Sequence, residues 1–364
     1  MDNTVPALTT IYLNLTERCN MKCIHCWLNP DYTGTGFETV KPLKTEISDT
    51  EIRRIIEQSM PLGLKSIKIT GGEPFLRKDI FEILGIITRH NLKVHIETNA
   101  SLLDKEKIKK LKKNGLNGIS VSLDAATEKK HDKLRGLKNS FQKTLNAIDL
   151  LVKNKISTEV IMSIFNINID EFPIFIKLMK NIGVRHVKLN TIIPTGRGLK
   201  IQKMGLAPDI KTLLEFNKLL EKNFSEDKKI NIHFSIPVAF KSIHSITKNR
   251  DNQCGIMNIM GILSNGDFSI CGIGRTEKAL VMGNIRRDRL DTTWKKHPIL
   301  VRMRKQIPDR LKGVCGNCMF KNICLGFCRA NAFSVSKDIL APSWMCEEAF
   351  NKGMFPEKRL REIP

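Results

Sequence analysis

Tyrosine is nearly missing from this chain: Tyr12 and Tyr32 are the only two among 364 residues, and aromatics together make up 6%. No aromatic-rich motif accompanies the lysines to give stacking platforms of the kind RNA-binding modules present, so no nucleic-acid partner is expected. There is no run of 18 apolar residues, which excludes a membrane-spanning helix. Residues Met1–Pro6 lack a basic region followed by an apolar one, so no secretory signal is expected and the location is expected to be cytoplasmic. Neither an internal repeat nor a long low-complexity tract is present. Acid is scarce: 37 Asp and Glu stand against 60 Lys and Arg, a formal charge of +23. An anionic partner would explain that excess, but solvated lysine faces in a Lys-, Asn- and Ile-rich composition explain it with no partner at all. Cysteine is absent from the whole stretch between Cys26 and Cys254, yet the chain has ten. In a reducing compartment, clustered cysteines point to metal or catalysis rather than disulfides.

What is present is an alternation of strand and helix patterns. Short apolar runs cover 11–15, 66–70, 92–98, 118–123, 157–164 and 185–190. Helical patterns lie between them at 49–60, 79–90, 104–114, 140–154 and 170–182, with Ser48 as an N-cap and Gly115 and Gly183 just past helix ends. Crossovers long enough to carry helices imply a parallel sheet, and a partial (β/α)6 barrel is the predicted α/β fold, with ligands at the C-terminal strand ends. A loop is predicted at 194–198 and a helix at 208–223. A boundary near Ser225 divides the chain into a core over 1–225 and a small cysteine-rich domain over 226–364. There, Ser264-Asn265-Gly266-Asp267 predicts a hairpin, 291–305 a helix, and 315–346 a segment with too little apolar surface to stand without metal.

Cys19, Cys23 and Cys26 directly follow the first predicted strand at intervals of four and three residues. Three thiolates on a [4Fe-4S] cluster leave one iron open to a cosubstrate. Zinc would want a fourth closed ligand, and His25, wedged between two cysteines, would be strained in that role. Strand ends then supply Gly71-Gly72-Glu73-Pro74, Thr98-Asn99, Ser122-Leu123-Asp124 and Asn190, with Arg135 after a helix. The two glycines allow a close backbone approach, and Glu73 offers a carboxylate to an ammonium.

Cys-x3-Cys-x2-Cys with this GGEP segment resembles the radical S-adenosylmethionine (SAM) superfamily. The resemblance implies an enzyme whose open iron chelates SAM and whose 5′-deoxyadenosyl radical abstracts a substrate hydrogen. It also implies that Gly71, Gly72, Glu73 and Pro74 hold the SAM amine, that Thr98, Asn99, Ser122, Asp124 and Asn190 line the cosubstrate, and that Arg135 pairs with its carboxylate. Ala125 stands where the family usually has glycine. Cys254-x11-Gly266-x4-Cys271, then Cys315-x2-Cys318-x5-Cys324-x3-Cys328 and Cys346, resembles the SPASM domain with two auxiliary clusters. Its interleaved pattern implies Cys315, Cys318, Cys324 and Cys346 on one cluster, and Cys254, Cys271 and Cys328 on the other. The latter lacks one cysteine that several relatives have; Asn258, Asp267 or a substrate thiolate are the options for its fourth position. Three [4Fe-4S] clusters and SAM are therefore the expected cofactors, with flavodoxin or ferredoxin as reductant.

SPASM proteins mostly act on peptides, so a ribosomal-peptide maturase forming a thioether or other side-chain crosslink is the leading expectation. An N-terminal peptide-recognition domain is not expected, since the first strand starts within about ten residues of Met1. Two rivals share the architecture: tetrapyrrole side-chain enzymes, similar in the Pro194-Thr195-Gly196-Arg197-Gly198 loop, and sulfatase formylglycine maturases, which place aspartate where this chain has Gly272. A non-catalytic Fe-S scaffold is the remaining alternative, and the GGEP segment speaks against it. No catalytic base is legible.

Overall fold

The computed structural model describes residues 5–28, 30–33, 43–248 and 255–361. Six parallel strands form where the apolar runs predict them: β1 (Thr10–Asn14), β2 (Ser66–Thr70), β3 (Lys93–Thr98), β4 (Gly118–Ser122), β5 (Thr158–Ser163) and β6 (His186–Asn190). Helices α1 (Asp49–Ser59), α2 (Ile80–Arg89), α3 (Lys105–Lys113), α4 (Glu128–Arg135), α5 (Ser140–Lys153) and α6 (Phe172–Ile182) lie in the crossovers. Helix α1 starts on a full capping box, Ser48 accepting from the Glu51 N–H and Glu51 accepting from the Ser48 N–H. Inside the predicted loop at 194–198, α7 (Arg197–Lys203) already begins at Arg197, and α8 (Ile210–Phe224) follows.

A parallel sheet packed by helices on both faces reads as continuous apolar runs. These strands alternate instead. Ile11, Leu13, Ile67, Ile69, Val94, Ile96 and Val121 are buried in the main apolar core. Their neighbours Tyr12, Lys68, His95, Glu97, Ser120 and Glu159 put polar groups on the opposite face. There Lys68 pairs with Glu97 at 2.5 Å, and Ser120 bridges His95 (2.7 Å) and Glu159 (2.8 Å). The period of two thus records a sheet with one apolar and one polar face.

The sheet is larger than six strands. β7 (Asn231–Phe234) adds parallel to β6, and β8 (Ile259–Ile262) adds parallel to β1, with Thr10 opposite Ile259. The predicted hairpin is present: β8 turns through Gly266 into β9 (Asp267–Ser269), which pairs antiparallel with β8 and with β10 (Val281–Asn284). The order across the ten strands is β10-β9-β8-β1-β2-β3-β4-β5-β6-β7. Cys315, Cys318, Phe320, Met345, Cys346 and Phe355 join the same apolar core as the barrel strands. The cysteine-rich segment, expected to lack a core, therefore borrows this one.

One predicted helix is corrected. Residues 291–305 form two helices, α9 (Leu290–Lys296) and α10 (Pro298–Gln306), split at His297, whose φ of −61° and ψ of 131° are extended. Pro298 clashes with a helical residue before it and carries no N–H for the i−4 bond. About half of the basic run from Arg286 to Lys312 is paired with acids within the chain. Arg286 pairs with Glu51 (2.6 Å), Arg289 with Asp291 (2.8 Å), and Arg302 and Lys312 both with Asp338 (3.3 and 2.7 Å). Among the described residues no helix is long and apolar enough to cross a membrane.

Candidate active site

Cys19, Cys23 and Cys26 leave β1 on one loop and gather in an apolar nest with Met21 and Leu137. Burial pushes the Cys19 thiol up, and the neighbouring Cys23, Glu73 and Cys26 add to the push, so as thiolates the three want a cation between them. Among the described residues no group of three His, Cys, Asp or Glu is placed to hold a single metal ion. A four-iron cluster takes its cysteines one to an iron, and three sulfurs in one water-poor nest fit that donor set.

The loop is pinned from four strand ends. At the end of β2, the Gly72 N–H donates to Thr16 O (2.7 Å) and the Glu73 N–H to Arg18 O (2.9 Å). A Cβ on Gly71 would lie 2.6 Å from Thr16 O, and one on Gly72 would lie 2.0 Å from Arg18 O. The backbone that approaches these glycines is thus the cysteine loop itself. Pro74 opens the buried turn that follows.

Glu73 is fully buried and accepts from the Phe75 N–H (3.0 Å), the Thr98 hydroxyl (2.7 Å) and the Asn99 N–H (2.8 Å). Burial outweighs these donors and raises its carboxyl to about 7. A carboxylate has about four acceptor sites; three are filled from within the chain. At the end of β3, Asn99 donates through Nδ2 to Asn20 Oδ1 (3.0 Å), and Asn20 donates to Ser101 Oγ (3.0 Å). Asn20 and Ser101 were not singled out from sequence, because either looks like an ordinary loop residue until the strand end reaches the cysteine loop.

At the end of β4, Ser122 is half-buried and Asp124 fully buried. Asp124 accepts from the Ser163 N–H (2.8 Å), pairs with Arg135 Nε (2.8 Å), and lies 3.5 Å from His25 Nε2. Burial alone would raise its carboxyl; Arg135 and His25 outweigh it and hold it below the usual range. Arg135 also reaches Cys23, with Nη1 3.7 Å from Sγ. His25 stacks edge-on against Phe165 (5.1 Å), and burial lowers it to about 4, so it is neutral at pH 7. Asn190 ends β6 and accepts from Ser235 (3.3 Å). Arg197, at the start of α7, donates from its N–H to Cys26 O (3.2 Å) and from Nη1 to Cys23 O (3.0 Å). It is a second arginine on this loop.

His131 offers a pH test. Its Nδ1 accepts from the Asp124 N–H (3.2 Å), and burial lowers it from its ordinary 6.5 to about 4. The unfolded chain binds this proton more readily, so the stability from a neutral His131 is full above pH 6.5 and is lost as pH falls through 4. Between pH 7.5 and 5.5 the cost is about 1.4 kcal/mol. Thermal melts at the two pH values should show His131→Asn losing less than the unmodified protein; equal losses would contradict it.

In the cysteine-rich segment, Cys315, Cys318, Cys324 and Cys346 come together. Cys315 and Cys346 share a hydrogen bond that pulls Cys315 down to about 7 and pushes Cys346 up, and Cys318 and Cys324 act on Cys346 as well. Burial raises Cys324 to about 11. Cys328 stands apart, capping a helix with its sulfur 3.4 Å from the Asn331 N. Cys271 lies beside Gly272, where a Cβ would be 2.7 Å from the Trp27 ring; Trp27 directly follows Cys26. Cys254 lies outside the described residues. Both oxygens of Asp267 accept from asparagines, Asn265 (2.7 Å) and Asn284 (2.8 Å), and Asn258 donates to Ala7 O (2.9 Å).

A cysteine loop clamped at the C-terminal ends of parallel strands, with a second thiol set downstream, defines an iron–sulfur enzyme of the barrel type. The family model described as "Radical SAM superfamily" matches residues 13–179, and the one described as "Iron-sulfur cluster-binding domain" (SPASM) matches 254–319. The chain belongs to the radical SAM superfamily and carries a SPASM domain; it is an enzyme that uses iron–sulfur clusters and SAM. It is 27% identical to an AdoMet-dependent heme synthase of Methanosarcina barkeri (strain Fusaro / DSM 804) over 91% of this chain and 94% of that protein. It is 22% identical to the mycofactocin maturase MftC of Mycobacterium ulcerans (strain Agy99) over 95% and 89%. Its fold is similar to that of Streptococcus suis SuiB bound to S-adenosylmethionine, with a TM-score of 0.70 and 19% identity over 94% of this chain and 78% of that one.

Proposed function

We propose that this enzyme holds its SAM-cleaving cluster on Cys19, Cys23 and Cys26 and abstracts hydrogen from a side chain of a tetrapyrrole. When bound, the cluster and SAM supply reductive cleavage to a 5′-deoxyadenosyl radical. The chain's own residues do the rest. Thr16, Arg18 and Asn20 fix the loop to the ends of β2 and β3. Glu73 keeps one acceptor site for the SAM amine. Asp124 and Arg135 form a buried charged pair beside the sulfurs. Cys315, Cys318, Cys324 and Cys346 hold one auxiliary cluster, and Cys254, Cys271 and Cys328 the other. On this reading the core covers 1–225 and the auxiliary domain 226–364, and the two share one sheet.

The observation that carries the substrate class is the agreement with the heme synthase over nearly the full length of both chains. The peptide-crosslinking reading is kept by the maturase relative, which also matches end to end at lower identity. Anaerobic protein with dithionite and SAM tests both. Adding an iron tetrapyrrole with propionate side chains should raise 5′-deoxyadenosine formation several-fold and give a tetrapyrrole of changed mass. A rate indifferent to the tetrapyrrole would remove that reading and leave the peptide.

A further inference from the structure

Arg135 is the last residue of α4 and is 7% exposed. A guanidinium keeps its charge when buried, and fixed partners must answer it. Here the two partners lie at different ends of the group. Asp124 sits at Nε (2.8 Å), while Cys23 Sγ sits at Nη1 (3.7 Å). Burial works against the charge; Asp124, then Cys23 and Cys26, hold it in place. The Arg135–Asp124 pair is therefore a dipole with its positive end turned on a cysteine of the site loop.

Its position is enforced by backbone. The Ile24 N–H donates to Leu134 O (3.0 Å), tying the loop to the last turn of α4. Gly136 closes the helix in the left-handed region at φ 66°, where a Cβ would lie 2.7 Å from Lys22 O. These contacts fix the Arg135 backbone beside the loop, and Asp124 at Nε holds the guanidinium against Cys23.

We infer that Arg135 is a positioning residue that raises the reduction potential of the cluster on Cys19, Cys23 and Cys26. The inference rests on the reading of those cysteines as its ligands. Reduction adds one electron to the cluster, so a donor and a positive charge on a ligand sulfur stabilise the reduced form more than the oxidised one. Asp124 offsets only part of this, because it meets the guanidinium at Nε while Nη1 faces the sulfur. This role differs from pairing with the SAM carboxylate and operates with no SAM bound.

Holoprotein and its Arg135→Gln and Arg135→Lys variants are titrated with dithionite without SAM and followed by electron paramagnetic resonance. The site cluster is the one whose signal changes when SAM is added afterwards. At the potential where half of the unmodified site cluster is reduced, Arg135→Gln should show a reduced-to-oxidised ratio about tenfold smaller, which is about 59 mV for one electron. Arg135→Lys should recover part of the shift, and the auxiliary signals should titrate unchanged. An unmoved midpoint in Arg135→Gln, with a SAM-responsive signal present, overturns the inference. If Arg135→Gln loses the cluster, Arg135→Lys decides: a lower midpoint supports the role and an equal one overturns it. Loss of the cluster in both variants would make Arg135 an anchor of the loop, and the tuning role falls. An unmodified protein with no SAM-responsive signal would instead overturn the cysteine assignment.

Discussion

Replacing Cys19, Cys23 and Cys26 together with alanine is expected to abolish 5′-deoxyadenosine formation and to remove about four of about twelve irons per chain, by cluster stoichiometry. The auxiliary set should survive. Cys315, Cys324 and Cys346 lie on short helices and Cys318 directly follows one, all packed in or against the common core, and no hydrogen bond joins them to the first loop among those described. The effect on cleavage should be complete, because on this reading the cosubstrate binds at the iron these three cysteines leave open, beside Glu73. Iron and sulfide analysis beside a SAM-cleavage assay checks it. Continued 5′-deoxyadenosine formation in the triple variant would contradict the assignment, as would the loss of all iron.

The second large effect is expected from a single methyl group. Gly72→Ala places a Cβ 2.0 Å from Arg18 O and 2.6 Å from Arg18 C. Both are backbone atoms one residue before Cys19, so no side chain can swing aside to make room. The same two segments are joined by the Gly72 N–H to Thr16 O and Glu73 N–H to Arg18 O bonds, which would have to lengthen together. Overpacking of this kind costs about 3 kcal/mol or more when the neighbour is rigid. We expect a sharply lower melting temperature, together with loss of the site cluster and retention of auxiliary iron. Gly85→Ala is the control. It lies within α2, its nearest neighbours to a Cβ are 3.6 Å away, and it should be neutral or stabilising by about 0.5–1 kcal/mol. Equal behaviour of the two variants would mean that the glycine pair is not what lets the loop lie on β2.

The chemistry was written locally and could be read locally. Three cysteines at intervals of four and three, the spaced run from Cys315 to Cys328, and a Gly-Gly-Glu-Pro turn after an apolar strand are each short patterns in neighbouring residues. Strand and helix positions were legible for the same reason: alternation and capping are nearest-neighbour properties, and Ser48 with Glu51 forms its capping box within a single turn. The split at His297 was equally local, since Pro298 announces it, and a helix drawn across it ignored the clash.

What only the tertiary structure decided is where distant segments meet. Sequence assigned Gly71 and Gly72 to a ligand; the fold brings the carbonyls of Thr16 and Arg18 onto them. Asn20 and Asn99 are 79 residues apart and meet through one hydrogen bond. Arg135 comes from 112 residues away to put its guanidinium at Cys23. The β8 strand, nearly 250 residues downstream, pairs with β1, so the cysteine-rich part extends the barrel's own sheet and shares its core. Each of these contacts closes a long loop of chain. Its free energy depends on the whole packed arrangement that repays that closure, and no local residue pattern carries it.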